Sequence, residues 1–493
     1  MDKKLFLMTE ESFRETIIFY NKNEINQDVK IKLNTYLDKV LNPLFPYKYD
    51  FILNNKEQFI QLINKMEYQT SKKSIFKYLE IKFMSHGKLY ISYLFSRIRK
   101  IMSSMRSNYY SSVIIPQKLE NIIIYESFRG KTFSDSPKKL YQYLSNQLKE
   151  YEHIVVVDNE SLKNELDNSK IKTVKKNTKE YFKLYNKAKV WVSNIRLSPQ
   201  IEKKSNQIYI QTWHGTPLKK LANDQTVISI PDVNLEEYLY GFTKETERWD
   251  YLISPSEIAT TRFKSAFKLK DDQILTLGYP RNDDLINFNH KNHINELKKK
   301  HNIPSDKKII LYAPTWRDND REEIGRYNFN LKLDLEDFKS KLADEYILII
   351  RAHYLVSKNL ELDNYSNIYD LSSANDINEL FLMSDILITD YSSVYFDYAN
   401  LKRPILFFAY DKEEYASDIR GFYTPYEEGL PGPIFTESEA LIKFIENKYY
   451  ETLPLDDKYI NFNKKYNYLD DGKATNRVGN EIIASLQTKK ELH

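Results

Sequence analysis

The sequence predicts an α/β protein built as two doubly wound parallel sheets that face each other across a cleft. Short, continuous apolar runs recur from about residue 121 onward, and segments with helical spacing separate them. The runs are apolar along their whole length instead of alternating, which marks strands buried on both faces and hence parallel sheets covered by helices. A chain of 493 residues is also long enough to fill two or three such cores.

The first series of apolar runs lies at 122–125, 154–157, 190–192, 208–210 and 251–253. A second lies at 274–277, 308–312, 346–350, 367–371, 386–389 and 404–408. Helical periodicity fills 136–148, 256–267, 283–301 and 377–383. The break between the series falls near 280–305, so the expected domains are 116–300 and 301–493. Residues 1–115 read differently, with helix-period apolar positions, little glycine and no alternation of elements. They are expected to form a mainly helical N-terminal region, with a membrane or a partner as the surface it could face. Within it, 81–110 interleaves Lys88, Arg97, Arg99, Lys100 and Arg106 with Leu89, Ile91, Leu94, Phe95, Ile98 and Ile101. Such a pattern fits a packed helix with a solvated basic face, or a helix lying on an anionic membrane surface.

The chain carries 73 basic and 69 acidic side chains, a net charge of +4. Affinity for phosphate groups must therefore come from local placement, and nucleic acid is not an expected partner. The absence of cysteine excludes disulfides and thiolate chemistry. No apolar segment follows Met1-Asp2-Lys3-Lys4 as a secretion signal would, and no run approaches 18 apolar residues, so a cytoplasmic protein is expected.

Ligands of open parallel sheets bind beyond the carboxyl ends of the strands, and those positions are rich in polar chemistry here. The run at 208–210 is followed by Gln211-Thr212-Trp213-His214-Gly215-Thr216-Pro217-Leu218-Lys219. It brings His214 to the sheet edge, with Gly215 and Thr216 in a tight turn and Lys219 within reach of an anion. The run ending at Ile350 leads into Arg351-Ala352-His353, so a second histidine leaves a strand edge in the other domain, two residues after an arginine. Thr389-Asp390-Tyr391-Ser392-Ser393 joins a strand to a helix that carries Asp397 and runs to about residue 401. Its serines can cap the helix, bind phosphate, or do both. Thr315 and Arg317 follow the run at 308–312, and Arg420 follows the run at 404–408. These arginines can grip a pyrophosphate bidentately or pair with surface carboxylates. There is no P-loop, dinucleotide fingerprint, HExxH or cysteine-based metal motif, so anion stabilisation without a metal is the simpler scheme.

In order, QTWHGTPLK, SPSE, GYPRND, YAPTWRD, RAHY, TDYSSVYFDY, RGFY and PGP resemble the CDP-glycerol glycerophosphotransferases, the teichoic acid primases and polymerases with their capsule and CDP-ribitol relatives. The resemblance covers roughly 121–450. It implies a GT-B-type fold and transfer of a polyol phosphate, most simply glycerol phosphate, from CDP-glycerol or CDP-ribitol. The acceptor is then a hydroxyl of a lipid-linked or polysaccharide chain, and CMP is released. It further implies catalysis by His214 and His353 without metal or cofactor, and a peripheral enzyme on the inner face of the cell membrane. Gly215, Thr216, Lys219, Thr315, Arg317, Arg351, Thr389, Asp390, Ser392, Ser393, Asp397 and Arg420 are the expected substrate-binding set. Two other readings stay open on the sequence: a GT-B glycosyltransferase using a nucleotide sugar, and a non-catalytic scaffold of a cell-wall assembly complex. The polyol, the choice between primase and polymerase, and the oligomeric state stay open as well.

Overall fold

The computed structural model describes residues 117–226, 234–315, 321–323, 326–327, 331–352, 365–412 and 421–491. The chain divides into two compact units. Of the first, Met1–Tyr109 with Asp320–Asn328, only an antiparallel pairing of 321–323 with 326–327 falls within the described residues. The expected helical region at 1–115 and the basic segment at 81–110 lie outside them. All that follows concerns the second unit.

Its first sheet has seven strands: β1 (Glu120–Glu126), β2 (Glu152–Val157), β3 (Thr173–Lys175), β4 (Ala188–Ser193), β5 (Ile208–Gln211), β6 (Tyr251–Ser254) and β7 (Ile274–Thr276). They are all parallel and lie in the order β3-β2-β1-β4-β5-β6-β7. The second sheet has six strands: β8 (Lys308–Ala313), β9 (Tyr346–Ile350), β10 (Ile368–Asp370), β11 (Ile386–Thr389), β12 (Ile405–Phe408) and β13 (Ile434–Phe435). These are parallel too, in the order β10-β9-β8-β11-β12-β13. Strand side chains alternate between faces, so each continuous apolar run feeds two cores. Ile122 and Ile124 enter one core of the first sheet while Ile123 and Tyr125 enter the other. Ile309 and Leu311, against Ile310 and Tyr312, do the same in the second sheet. Every expected run thus forms a strand, whereas the short edge strands β3 and β13 have no counterpart in the sequence reading.

Three details differ from expectation. The run at 274–277, grouped with the second series though it falls inside the expected first domain of 116–300, closes the first sheet as β7, pairing Leu252 with Ile274. The helical stretch at 283–301 breaks at Phe288 into Asp283–Asn287 and Lys291–Lys300, where the His290 ring accepts the His293 N–H as a new N-cap. Last, the C-terminal helix α2 (Ala474–Glu491) packs on the first sheet, not the second. Its Val478, Ile482 and Leu486 share a core with Ile123, Tyr125 and Leu140, the last from helix α1 (Asp135–Gln147). The chain therefore crosses between the two sheets twice, which ties the halves together.

Candidate active site

β5 is fully buried, and its last residue sets up the turn that presents His214. The Gln211 side chain accepts the Trp213 N–H (2.9 Å), and Thr212 N–H donates to Ser193 O (2.8 Å). Trp213 adopts a left-handed conformation (φ 54), which costs a non-glycine residue about 1–2 kcal/mol. Burial of its indole against Phe267 (ring centroids 4.8 Å apart) and Phe263 offsets that cost. The turn directs the next ring into the cleft, where the His214 imidazole stacks on Trp213 at 4.5 Å.

His214 Nδ1 lies 2.7 Å from the backbone oxygen of Asn194. A carbonyl only accepts, so Nδ1 carries the hydrogen and the neutral ring keeps its lone pair on Nε2. The ring meets solvent in the cleft, yet protein surrounds it closely. This displacement of bulk water lowers its pKa below the ordinary histidine value, with Arg281 adding to the effect while the Asn194 carbonyl and Asp135 oppose it. At neutral pH the ring is an unprotonated base.

Around His214 opens a cleft of about 660 Å³ between the carboxyl ends of the two sheets. Gly215, Thr216 and Lys219 line the first wall, and Thr315, Arg351, Ser392 and Ser393 the second. The structure thus brings together eight of the expected residues. The walls come close at one point: a Cβ placed on Gly215 would sit 2.9 Å from Ser393 Oγ. Ser392 Oγ accepts the Val394 N–H at 3.4 Å, while Ser393 makes no cap to the short helix Val394–Tyr398. Lys219 and Phe422 form an antiparallel bridge across the cleft's end, with Lys220 N–H donating to Gly421 O at 2.7 Å.

Other expected residues hold the walls in place. Thr389 Oγ1 donates to Ala313 O (2.8 Å), and Asp390 accepts the Thr315 N–H (2.8 Å), so both fix the end of β8 against β11. Although Arg351 lines the cleft, its Nη1 donates to the carbonyls of Leu371, Ser372 and Ala374 (3.2, 2.9 and 2.7 Å), clamping the loop after β10. Asp397 lies outside the cleft lining. It pairs with Arg281 through both oxygens (3.0 and 3.1 Å) and accepts from Asn282 (3.0 Å). His353, Arg317 and Arg420 fall outside the described residues.

Sequence reading did not count as site residues Lys131 and Thr132, although the run 125–137 that holds them resembles the start of the family's domain, nor Asn375. All three line the cleft, and Asn194, also not counted, orients His214. The rule of inspecting strand ends finds Lys131 and Thr132 after β1 and Asn194 directly after β4.

Behind the cleft the two halves meet in a buried polar seam. Asn282 and Asn400 both donate to Asp470 Oδ2 (2.8 Å each), and Tyr279 OH donates to Gly215 O (3.0 Å). Burial, with Asp397 nearby, pushes the Asp470 carboxyl up to about 7, against the two amide donors and Arg281. Between an unfolded value of roughly 3.9 and that value, the folded protein holds a proton that the unfolded chain has lost. This group therefore favours folding at low pH, and its contribution fades as pH rises towards 7. Asp470→Asn is expected to remove that dependence. Melting curves at pH 5 and pH 8 should give a smaller downward shift in the variant than in the wild type, and equal shifts would contradict a raised carboxyl.

Among the described residues, no group of three or more His, Asp or Glu side chains could hold a metal ion, and no helix is long and apolar enough to cross a membrane.

A family model described as CDP-Glycerol:Poly(glycerophosphate) glycerophosphotransferase matches residues 108–484. A teichoic acid poly(glycerol phosphate) polymerase of Staphylococcus epidermidis is 47% identical over 362 residues, 73% of this chain; the match spans only half of that relative's length. A polymerase of the same name from Bacillus spizizenii is 42% identical over 80% of this chain and 99% of its own. Solved structures of the wall teichoic acid polymerase TagF align at TM-score 0.72 and 39% identity, covering 84–85% of this chain and 97–98% of theirs. One carries a histidine-to-alanine change, and another a histidine-to-asparagine change with CDPG soaked in. The two facing parallel sheets are those of a GT-B-type fold.

Proposed function

We propose that this chain, which belongs to the CDP-glycerol:poly(glycerophosphate) glycerophosphotransferase family, transfers glycerol phosphate from CDP-glycerol to a hydroxyl of a teichoic-acid-type chain. The observation that carries the reading is the His214 imidazole, held as an Nδ1–H tautomer at the mouth of a cleft between two parallel sheets. Its Nε2 takes the proton of the acceptor hydroxyl as that oxygen attacks the β-phosphorus of CDP-glycerol. The new P–O bond forms a phosphodiester, the bond from the β-phosphorus to the bridging oxygen breaks, and CMP leaves with that oxygen.

The hydroxyls of Ser392 and Ser393 face the same cleft and suit the pyrophosphate oxygens. His353, Arg317 and Arg420 complete the donor site in this reading: His353 protonates the departing phosphate, and the arginines neutralise its charge. Arg351 contributes mainly by fixing the loop that carries Ser372 and Asn375. No step requires a metal. The basic amphipathic sequence at 81–110 supports work at the inner face of the cell membrane, where a lipid-linked acceptor would be met.

The test is a donor comparison. Purified protein is incubated with CDP-glycerol, CDP-ribitol or a UDP-sugar and a lipid-linked glycerol phosphate acceptor, and the released nucleotide and the product length are measured. CMP from CDP-glycerol is the expected result. Release of UDP with no CMP would replace this reading with a glycosyltransferase, and a ladder of products separates polymerase from primase.

A further inference from the structure

Asn194 stands one residue beyond β4, the strand between β1 and β5, and it joins the loops that leave both neighbours. It is fully buried. Its backbone carbonyl accepts from His214 Nδ1 after β5, and its side-chain Oδ1 accepts the Phe128 N–H after β1 at 2.9 Å. Phe128 opens three consecutive left-handed residues, Phe128, Arg129 and Gly130 (φ 46, 61 and 76), of which two are not glycine. Such a turn persists only where its surroundings over-determine it. The turn delivers Lys131 and Thr132 to the cleft wall and places the Phe128 ring 6.3 Å from the His214 ring.

The choice of residue is informative. Asn194 Nδ2 has no hydrogen-bond partner among the described residues, a cost for a buried donor. An aspartate would accept the same N–H, but it would bury a charge at a fully enclosed position and set it beside the imidazole. Asparagine supplies the acceptor and leaves the histidine neutral.

We propose that Asn194 is a positioning residue for phosphate transfer: it fixes His214 as the Nδ1–H base and locks that geometry to the turn bearing Lys131 and Thr132. The proposal rests on His214 acting as the base in the reaction above.

Two variants and one measurement on the wild type test it. Asn194→Ala is expected to lower kcat about tenfold or more while KM for CDP-glycerol stays within about threefold. Asn194→Asp keeps the acceptor but adds a charge that stabilises the imidazolium. The acid limb of its kcat/KM profile should move up by about one pH unit, with kcat above the limb closer to wild type than in the alanine variant. Wild-type kcat in Asn194→Ala, or an Asn194→Asp profile that overlays the wild type, would overturn the proposal. Circular dichroism checks that both variants fold. Where they do not, 15N-histidine spectra of the wild-type protein at pH 8 decide, with His214→Gln identifying the signal. Protonated Nδ1 is expected, and an Nε2–H tautomer overturns the role of Asn194. A wild-type protein that releases no CMP from any CDP-polyol overturns the transfer reading instead, because the tautomer is measured without substrate.

Discussion

Replacing His214 with glutamine is expected to lower kcat for CMP release by about 10²-fold or more, while CDP-glycerol should still bind with near wild-type affinity. The size of the effect follows from the role. Glutamine can fill the space beside Trp213 and donate to the Asn194 carbonyl, but it has no lone pair basic enough to take a hydroxyl proton. Binding should survive because, in the proposed reading, the Ser392 and Ser393 hydroxyls that would hold the donor lie on the opposite wall of the cleft. The same argument fixes the pH dependence of the wild type. Desolvation by the protein packed closely around the ring depresses the His214 pKa, so the neutral form proposed as the base persists below the ordinary histidine range. The acid limb of kcat/KM should therefore lie below roughly pH 6.5, and activity should fall as pH drops through it. Initial rates and calorimetric titration with CDP-glycerol measure both halves. A His214→Gln protein with near wild-type turnover would remove the base from the mechanism.

The sheets were legible in the sequence because burial on both faces leaves uninterrupted apolar runs, and parallel pairing needs helices between them. Every such run became a strand. The edges of the fold were not legible, and for a reason that recurs. Whether the run at 274–277 ends one sheet or begins the next depends on which strand it pairs with, and pairing leaves no mark on a short apolar run. The same holds for α2, whose apolar face says that it packs but not against which sheet.

The candidate site divides along a similar line. Position after a strand picked out His214, Gly215, Ser392 and Ser393, which line one cleft. It could not tell a residue facing that cleft from one that braces its wall, because both kinds are polar and both follow a strand. Thr389 and Asp390 brace, as their bonds to Ala313 and Thr315 indicate. Asn194 is a residue of the opposite kind, unremarkable in sequence yet bonded directly to the imidazole.

Asp397 shows the same division with a large energetic consequence. Its partner Arg281 is only 4% exposed, and it is held by Asp397 in bidentate fashion and by Asp135 at 3.8 Å. Asp397→Ala leaves the guanidinium buried with the more distant carboxylate alone, and removing one partner of a buried pair costs about 3–5 kcal/mol. Because Arg281 belongs to the first half and Asp397 to the second, the variant should also loosen the seam that sets the spacing of Gly215 and Ser393. Activity would then fall through lost stability and a widened cleft, without loss of any group that touches substrate. Urea titration of Asp397→Ala should show the midpoint falling sharply. The double variant Arg281→Met, Asp397→Leu should be less destabilised than the two single changes summed, since it removes the orphaned charge along with its partner. Additive losses would mean that the two side chains do not stabilise one another. An Asp397→Ala protein of unchanged stability that has lost CDP-glycerol binding would return Asp397 to the substrate-binding set.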